Sequence, residues 1–244
     1  MRVTALNAAC RPGKTTTQLA RQALDGAASV GAEAEMVMLM DHDIRFCTNC
    51  LTCYKDLGAA IAPCSVKDDV RGILEKIRES DGIVLVSPVH SGFVTGLMTT
   101  FIERATWTLC RPTGELLGMQ GVPEPRLTDR VRGSVTIVGA GAMPTELRQY
   151  CDMGTPWMAD MAQLLFNGEV VGDMYAGASF SKELTGDEWS KAYQFRQLSE
   201  QQLAEAFGLG AKLAEALKNG EVRPYDPERI AAALAPPDGP GGPE

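Results

Sequence analysis

Two short runs constrain this chain more than anything else in it. Residues 82–87 (GIVLVS) and 134–138 (SVTIV) are almost unbrokenly apolar and rich in β-branched side chains. Neither shows the in–out alternation of a strand with one wet face, so both are expected to be strands buried on both sides. Such strands need helices above and below, and helical patterns do fall between the apolar runs. Residues 2–7 (RVTALN) read as a first strand. A helix is expected over 15–30, with Leu19, Ala20, Ala23, Leu24 and Ala27 on one face, and 34–40 (AEMVMLM) as a second strand. Asp68 and Asp69 open a helix carrying Val70, Ile73, Leu74 and Ile77. Pro88 is expected to stop the third strand, and a further helix to run from about Gly96 to Trp107. After the 134–138 strand, a glycine turn leads to a helix over about 145–166, and 168–174 (GEVVGDM) supplies a fifth strand. Asp187–Asn219 reads as one long amphipathic helix, broken near Gly208 and Gly210. Strands alternating with helices imply an α/β fold: a doubly wound, five-stranded parallel sheet in a three-layer sandwich. Sheets of this kind bind ligands beyond the carboxyl ends of their strands.

At ~150 residues per domain, a chain of 244 residues lies between one and two domains. The pattern favours a single domain over 1–220 with insertions at 45–66 and 108–132, the second a loop excursion containing Pro112, Pro123 and Pro125. A C-terminal extension follows over 221–244; its end, from Pro236 (PPDGPGGPE), is expected to be disordered. The net charge of −8 leaves no basic excess for phosphate backbones or anionic lipid, which argues against a nucleic-acid or membrane binder. Nothing resembles a signal peptide, and no apolar run approaches the ~20 residues of a membrane span; a soluble, cytoplasmic protein is expected. Seven cysteines in a reducing compartment are no disulfide framework, and four of them crowd into 18 positions.

Three turns follow strands and face that carboxyl edge. The first contains Ala9, Cys10, Arg11, Gly13, Lys14, Thr15, Thr16 and Thr17. Hydroxyls, a guanidinium and free N–H groups at a helix start make a cradle for phosphate. Gly13-Lys14-Thr15 also ends like a nucleotide-triphosphate P-loop, with Ala8 in place of its first glycine. Neither 82–87 nor 134–138 ends in the acidic residue that would hold Mg²⁺, so the P-loop stands as the minority alternative. The second turn is Pro88, Val89, His90, Ser91, Gly92 and Phe93, with small residues, backbone donors and one aromatic suited to the edge of a flat polar ring. The third, Gly139, Ala140 and Gly141, is half a dinucleotide fingerprint, with Pro144 where a third glycine would stand. No catalytic acid, base or nucleophile can be named from the sequence.

Arg11-Pro12-Gly13-Lys14-Thr15, Asp68-Asp69, Asp81-Gly82-Ile83, Ser87-Pro88-Val89-His90 and Phe101-Ile102-Glu103-Arg104 occur in this order over roughly residues 1–175. Together they resemble the NAD(P)H-dependent FMN reductase branch of the flavodoxin-like fold. His90 replaces the usual aromatic of the second turn, and Ala9 stands where many members have serine. The resemblance implies that the first turn holds the FMN phosphate and that the second and third line the isoalloxazine. It also implies a homodimer or homotetramer with FMN near a subunit boundary, and Phe93, Trp107 and Trp157 lie in segments such a boundary would use.

Cys47-x₂-Cys50-x₂-Cys53-x₁₀-Cys64 is the sharpest local signal. Three thiolates two residues apart can wrap one cluster and a distant fourth can complete it. Zinc is the chemical competitor, although closed zinc sites favour two separated C-x₂-C knuckles; a thiol loop without metal is the plainest option. The segment resembles that of the iron–sulfur flavoproteins, a subfamily of the same FMN fold, with a longer gap before Cys64. That resemblance implies a [4Fe-4S] cluster on Cys47, Cys50, Cys53 and Cys64. The expected function is an FMN-dependent oxidoreductase passing electrons from NAD(P)H or a ferredoxin to a small-molecule acceptor. The alternatives are a cluster-free NAD(P)H:FMN or quinone reductase, and a P-loop nucleotide-binding protein with structural zinc.

Overall fold

The computed structural model describes residues 1–234; the expected disorder from Pro236 lies outside them. Ten strands are formed: β1 (Arg2–Asn7), β2 (Glu33–Met38), β3 (Gly82–His90), β4 (Phe93–Val94), β5 (Cys110–Leu116), β6 (Met119–Pro125), β7 (Gly133–Ala140), β8 (Val170–Gly177), β9 (Ser179–Phe180) and β10 (Arg196–Gln197). The α-helices are α1 (Thr15–Ser29), α2 (Val70–Glu79), α3 (Gly96–Leu109), α4 (Arg148–Cys151), α5 (Gly154–Phe166), α6 (Glu200–Asn219) and α7 (Pro227–Leu234).

The central sheet is parallel, in the order β2-β1-β3-β7-β8. With strands renumbered along the sheet this is 2-1-3-4-5, the flavodoxin-like order, with its switch point between the first and third strands. The two apolar runs occupy β3 and β7, the pair at the sheet's centre, in register from Gly82 opposite Gly133 to Pro88 opposite Gly139. Their side chains divide by parity. Ile83 and Leu85 pack with α2, α3 and α5 on one face, whereas Val84 and Val86 pack with α1 and α6 on the other. Continuous hydrophobicity is therefore the signature of two cores sharing one sheet.

Five expectations are corrected. Pro88 does not stop β3, which continues to His90 and folds back on β4 through Ser91 and Gly92, both at positive φ (52° and 77°) as a tight type I′ hairpin requires. Pro88 is tolerated because the ladder needs no N–H from it at that position. The 108–132 excursion is largely a second hairpin, β5 with β6, whose prolines sit in a two-stranded ribbon with free edges. The helix expected over 145–166 is interrupted between Cys151 and Gly154, where Asp152 accepts from Thr155 N–H (2.9 Å). The expected helix over 187–219 is two separate elements: 3₁₀ turns over Gly186–Gln194, then β10, then α6. Within α6 there is no break at Gly208 or Gly210. A Cβ at Gly210 would overlap the carbonyl oxygen of Ala23, and one at Gly26 that of Phe207, so these glycines let α6 lie directly on α1. Among the described residues, no helix is long and apolar enough to cross a membrane.

Candidate functional site

The turn after β1 is organised from inside. Asn7, fully buried, accepts from Ala9 N–H through Oδ1 (2.9 Å) and donates from Nδ2 to Thr17 Oγ1 (3.2 Å). Thr17 in turn donates to the carbonyl of Arg11 (3.4 Å). These bonds curl residues 8–14 over the start of α1, whose first-turn N–H groups have no intrahelical acceptor. Lys14, the residue before that helix, leaves them uncapped by any side chain.

A cleft of about 570 Å³ opens above this turn, lined by Ala9, Cys10, Arg11, Lys14, Thr15, Thr16, Pro88, Val89, His90, Ser91, Gly139, Ala140, Gly141 and Arg196. All three expected turns therefore contribute to one cavity at the carboxyl edge of the sheet. Gly139 permits the closest approach: a Cβ there would stand 2.5 Å from Thr16 Oγ1. Four expected residues lie outside the lining. Gly13 shapes the turn at a φ of 77°, Thr17 is turned inward to Asn7, Gly92 closes the hairpin, and Phe93 packs on Trp157 with ring centroids 5.1 Å apart. Ser87 ties the second turn to α3, accepting from Thr95 N–H (3.0 Å), while Thr95 caps α3 by accepting from Met98 N–H (3.2 Å).

Arg196 and its neighbour Tyr193 were not visible as site residues in the sequence, because a long helix was expected to carry them. Arg11 Cζ lies 4.4 Å from the Tyr193 ring centroid and Lys14 Nζ 5.9 Å from it. Two local signals mark the true boundaries. Thr185-x-x-Glu188 and Ser199-x-x-Gln202 are both reciprocal capping boxes, so one helical segment ends and another begins between them.

The cysteines occupy the loop between β2 and α2. Cys47, Cys50, Cys53 and Cys64 all line one pocket, together with Glu103, Arg104 and Trp107 among others. All seven cysteines are free thiols. Asn49 and Leu51, on either side of Cys50, hold positive φ (49° and 55°), a conformation a leucine adopts only under constraint. Cys50 Sγ lies 2.9 Å from Ser65 Oγ and 3.3 Å from Thr52 Oγ1, and those hydrogen bonds pull its thiol down to about 6. Cys53 moves the other way, raised by burial and then by the neighbouring sulfurs of Cys47, Cys50 and Cys64. Among the described residues, no three His, Cys, Asp or Glu side chains are gathered tightly enough to hold a metal ion.

Two buried arginines fix the loop. Arg104 donates to Cys64 Sγ (3.4 Å), to the carbonyl of Arg45 (2.7 Å) and to both carboxylate oxygens of Asp68 (2.5 and 3.1 Å). Arg126, on the segment leaving β6, donates to the carbonyls of Cys53 (3.1 Å), Asp56 (2.9 Å), Ala59 (2.9 Å) and Cys110 (2.8 Å). Between them Ile61 and Ala62 are buried, and Ala62 N–H donates to Thr108 (2.8 Å). The ten residues separating Cys53 from Cys64 thus return the chain to the same pocket. The sequence signal for Arg104 was its place in Phe101-Ile102-Glu103-Arg104; Arg126 had none. His42 is half-buried, with Nδ1 3.9 Å from Asp69 Oδ2.

Comparison with known proteins bears on the family and the fold. An iron-sulfur flavoprotein of Methanocaldococcus jannaschii is 35% identical over 105 residues, 43% of this chain and 52% of that protein. One from Archaeoglobus fulgidus is 40% identical over 76 residues, 31% of this chain and 35% of that protein. The chain thus spans about half or less of the length of these curated relatives. Among solved structures, a flavone reductase superposes with a TM-score of 0.58 at 20% identity, over 93% of this chain and 66% of that one. The azoreductase AzrA gives 0.56 at 14%, over 88% and 99%; at such identities the likeness is one of fold. The family model described as NADPH-dependent FMN reductase matches residues 1–151, which hold all three cleft turns and the whole cysteine loop. Matched over more than half its length, and folded with those turns on one cleft, the chain belongs to the NADPH-dependent FMN reductase family.

Proposed function

We propose that this chain is an FMN-dependent oxidoreductase carrying a [4Fe-4S] cluster on Cys47, Cys50, Cys53 and Cys64. It passes electrons between NAD(P)H or a ferredoxin and a small acceptor. The observation that carries the FMN reading is the charge of the cleft: Arg11, Lys14 and Arg196 line it and no carboxylate does. Arg196 Nε is buried there without a hydrogen-bond partner, as expected of a site shaped for an anion. Bound FMN would supply two-electron chemistry toward a nicotinamide and one-electron chemistry toward a cluster. The chain's part is to grip the phosphate with Arg11 and the start of α1, and to offer the backbone of the second and third turns to the ring.

Cys47, Cys50, Cys53 and Cys64 line one pocket without closing on a single ion, and soft thiolates are the donors that iron–sulfur clusters take. The names of the curated relatives support the same reading. The thiol loop follows β2 and the cradle follows β1, its parallel neighbour, so both leave the same edge of the sheet.

The test is the visible spectrum and iron content of anaerobically purified full chain. Flavin absorption with a broad band that bleaches on reduction, plus iron, is the expected result. Serine at any of the four cysteines should lower the iron while retaining flavin. Arg11→Ala should weaken FMN binding by roughly 1.5–3 kcal/mol, the scale of a charge-assisted hydrogen bond. Flavin without iron in the parent would leave a cluster-free reductase, and a colourless protein would overturn the proposal.

A further inference from the structure

Three cations and no acid line one cleft in a chain whose net charge is −8. Arg11 and Lys14 belong to the turn that opens α1. Arg196 comes from β10, outside the residues 1–151 that the family model matches. Its guanidinium reaches the turn after β7, where a Cβ at Gly141 would stand 3.0 Å from Nη2 and 3.1 Å from Cζ. Burial first and the charge of Arg11 second lower its affinity for its proton, and no acid offsets them.

Arg196 shares the cleft lining with Arg11, feels its charge and buries an N–H without a partner, and an anion between the two would relieve both the repulsion and the unpaired donor. A carboxylate would balance only one of the charges. A phosphate monoester carries about −1.5 to −2 at neutral pH and offers three acceptor oxygens, enough for both forks. The same strap that carries Arg196 also lays Tyr193 over Arg11 at 4.4 Å, fixing the plane of that guanidinium.

We infer that Arg196 is the second guanidinium ligand of the flavin 5′-phosphate, and that it makes this cleft select FMN over riboflavin. This rests on the FMN reading above and names the residue that confers specificity within it. Riboflavin, lacking the phosphate, leaves Arg11, Lys14 and Arg196 uncompensated.

The experiment titrates flavin-free full chain with FMN and with riboflavin, following flavin fluorescence, for the parent, Arg196→Gln and Arg196→Lys. In Arg196→Gln the Kd for FMN should rise roughly ten- to hundredfold while that for riboflavin stays unchanged, so discrimination collapses. Arg196→Lys should recover part of it, as a point charge without the fork. In the parent alone, inorganic phosphate should compete with FMN and not with riboflavin, a readout that survives if a variant fails to fold. Unchanged FMN affinity in both variants overturns the inference and leaves the FMN reading standing. Equal loss of FMN and riboflavin also overturns it, by placing Arg196 on the ring or in the fold. A parent that binds neither flavin overturns the FMN reading itself.

Discussion

Asp68→Asn should be among the most damaging single substitutions in this chain, although it changes few atoms. The Asp68 and Arg104 side chains are 1% and 2% exposed. Asp68 Oδ2 accepts from Arg104 Nη1 and Arg45 N–H, and Oδ1 from Arg104 Nη2 and Val70 N–H. Burial pushes this carboxyl up, but the Arg104 guanidinium and the Arg45 N–H overcome it and hold the group below its ordinary value. Asparagine would turn an NH₂ donor toward donors and leave the guanidinium buried without its counter-charge. Breaking such a pair from one side costs about 3–5 kcal/mol. Removing both charges, in Asp68→Asn with Arg104→Met, deletes the unpaired cation, so the double variant should recover about 2–3 kcal/mol relative to additivity. Denaturant unfolding at pH 7 of the parent, both single variants and the double variant measures this directly. The pH dependence carries the same sign. A depressed carboxyl stabilises fully above its unfolded value near 3.9 and loses that contribution as pH falls through its lower folded value, so the gap between parent and Asp68→Asn should narrow in acid. An Asp68→Asn loss below about 1 kcal/mol, or strict additivity in the cycle, would refute the reasoning.

Gly210→Ala should destabilise despite the ~1 kcal/mol gained in helix propensity, because the added methyl overlaps the backbone of Ala23 and only separation of α1 from α6 relieves it; a net loss of about 2 kcal/mol is expected in thermal unfolding. Arg126→Met withdraws the donor from four carbonyls; stability should fall by about 2–3 kcal/mol and hydrogen exchange should quicken across 53–62, and unaltered exchange there would remove Arg126 from its clamping role. Glu188 is held down to about 2 by Lys182 first and the Thr185 N–H second, so its hold on the 186–194 turns is complete above about 4.3 and is lost as pH falls toward 2. Trp189, edge-on to Phe180 at 5.7 Å, reports this by its fluorescence; a midpoint below 4 that vanishes in Glu188→Gln is expected, and a midpoint at 4.3 or above counts against it.

The sheet was legible because burial on both faces writes itself as uninterrupted hydrophobicity, as at Ile83–Val86. The three turns were legible because strand–turn–helix order places them on one edge. What escaped notice depended on partners distant in sequence. Gly208 and Gly210 suggest a broken helix in isolation; only the approach of α1 shows Gly210 to be a packing residue. Pro88 suggests a stop until Ser91 and Gly92 are read as a turn that brings the strand back. Arg126 reaches Cys53 across 73 positions, and no local pattern announces such a bond. Arg196 and Tyr193 were obscured by a periodicity that ran through two capping boxes, a signal the sequence does contain.

The two arginines that grip the thiol loop separate events that many metal-binding peptides couple. In a zinc finger, the loop has no shape until metal arrives, so folding and loading are one transition and a chelator unfolds the domain. Here the backbone from Cys53 to Cys64 is pinned by Arg126, Ile61, Ala62 and Arg104, all protein groups. The ordering entropy of that loop is met when the chain folds, whatever later binds to its sulfurs. The fold of the loop therefore rests on protein groups, and serine at Cys47 or Cys50 should leave the unfolding midpoint of the chain close to that of the parent.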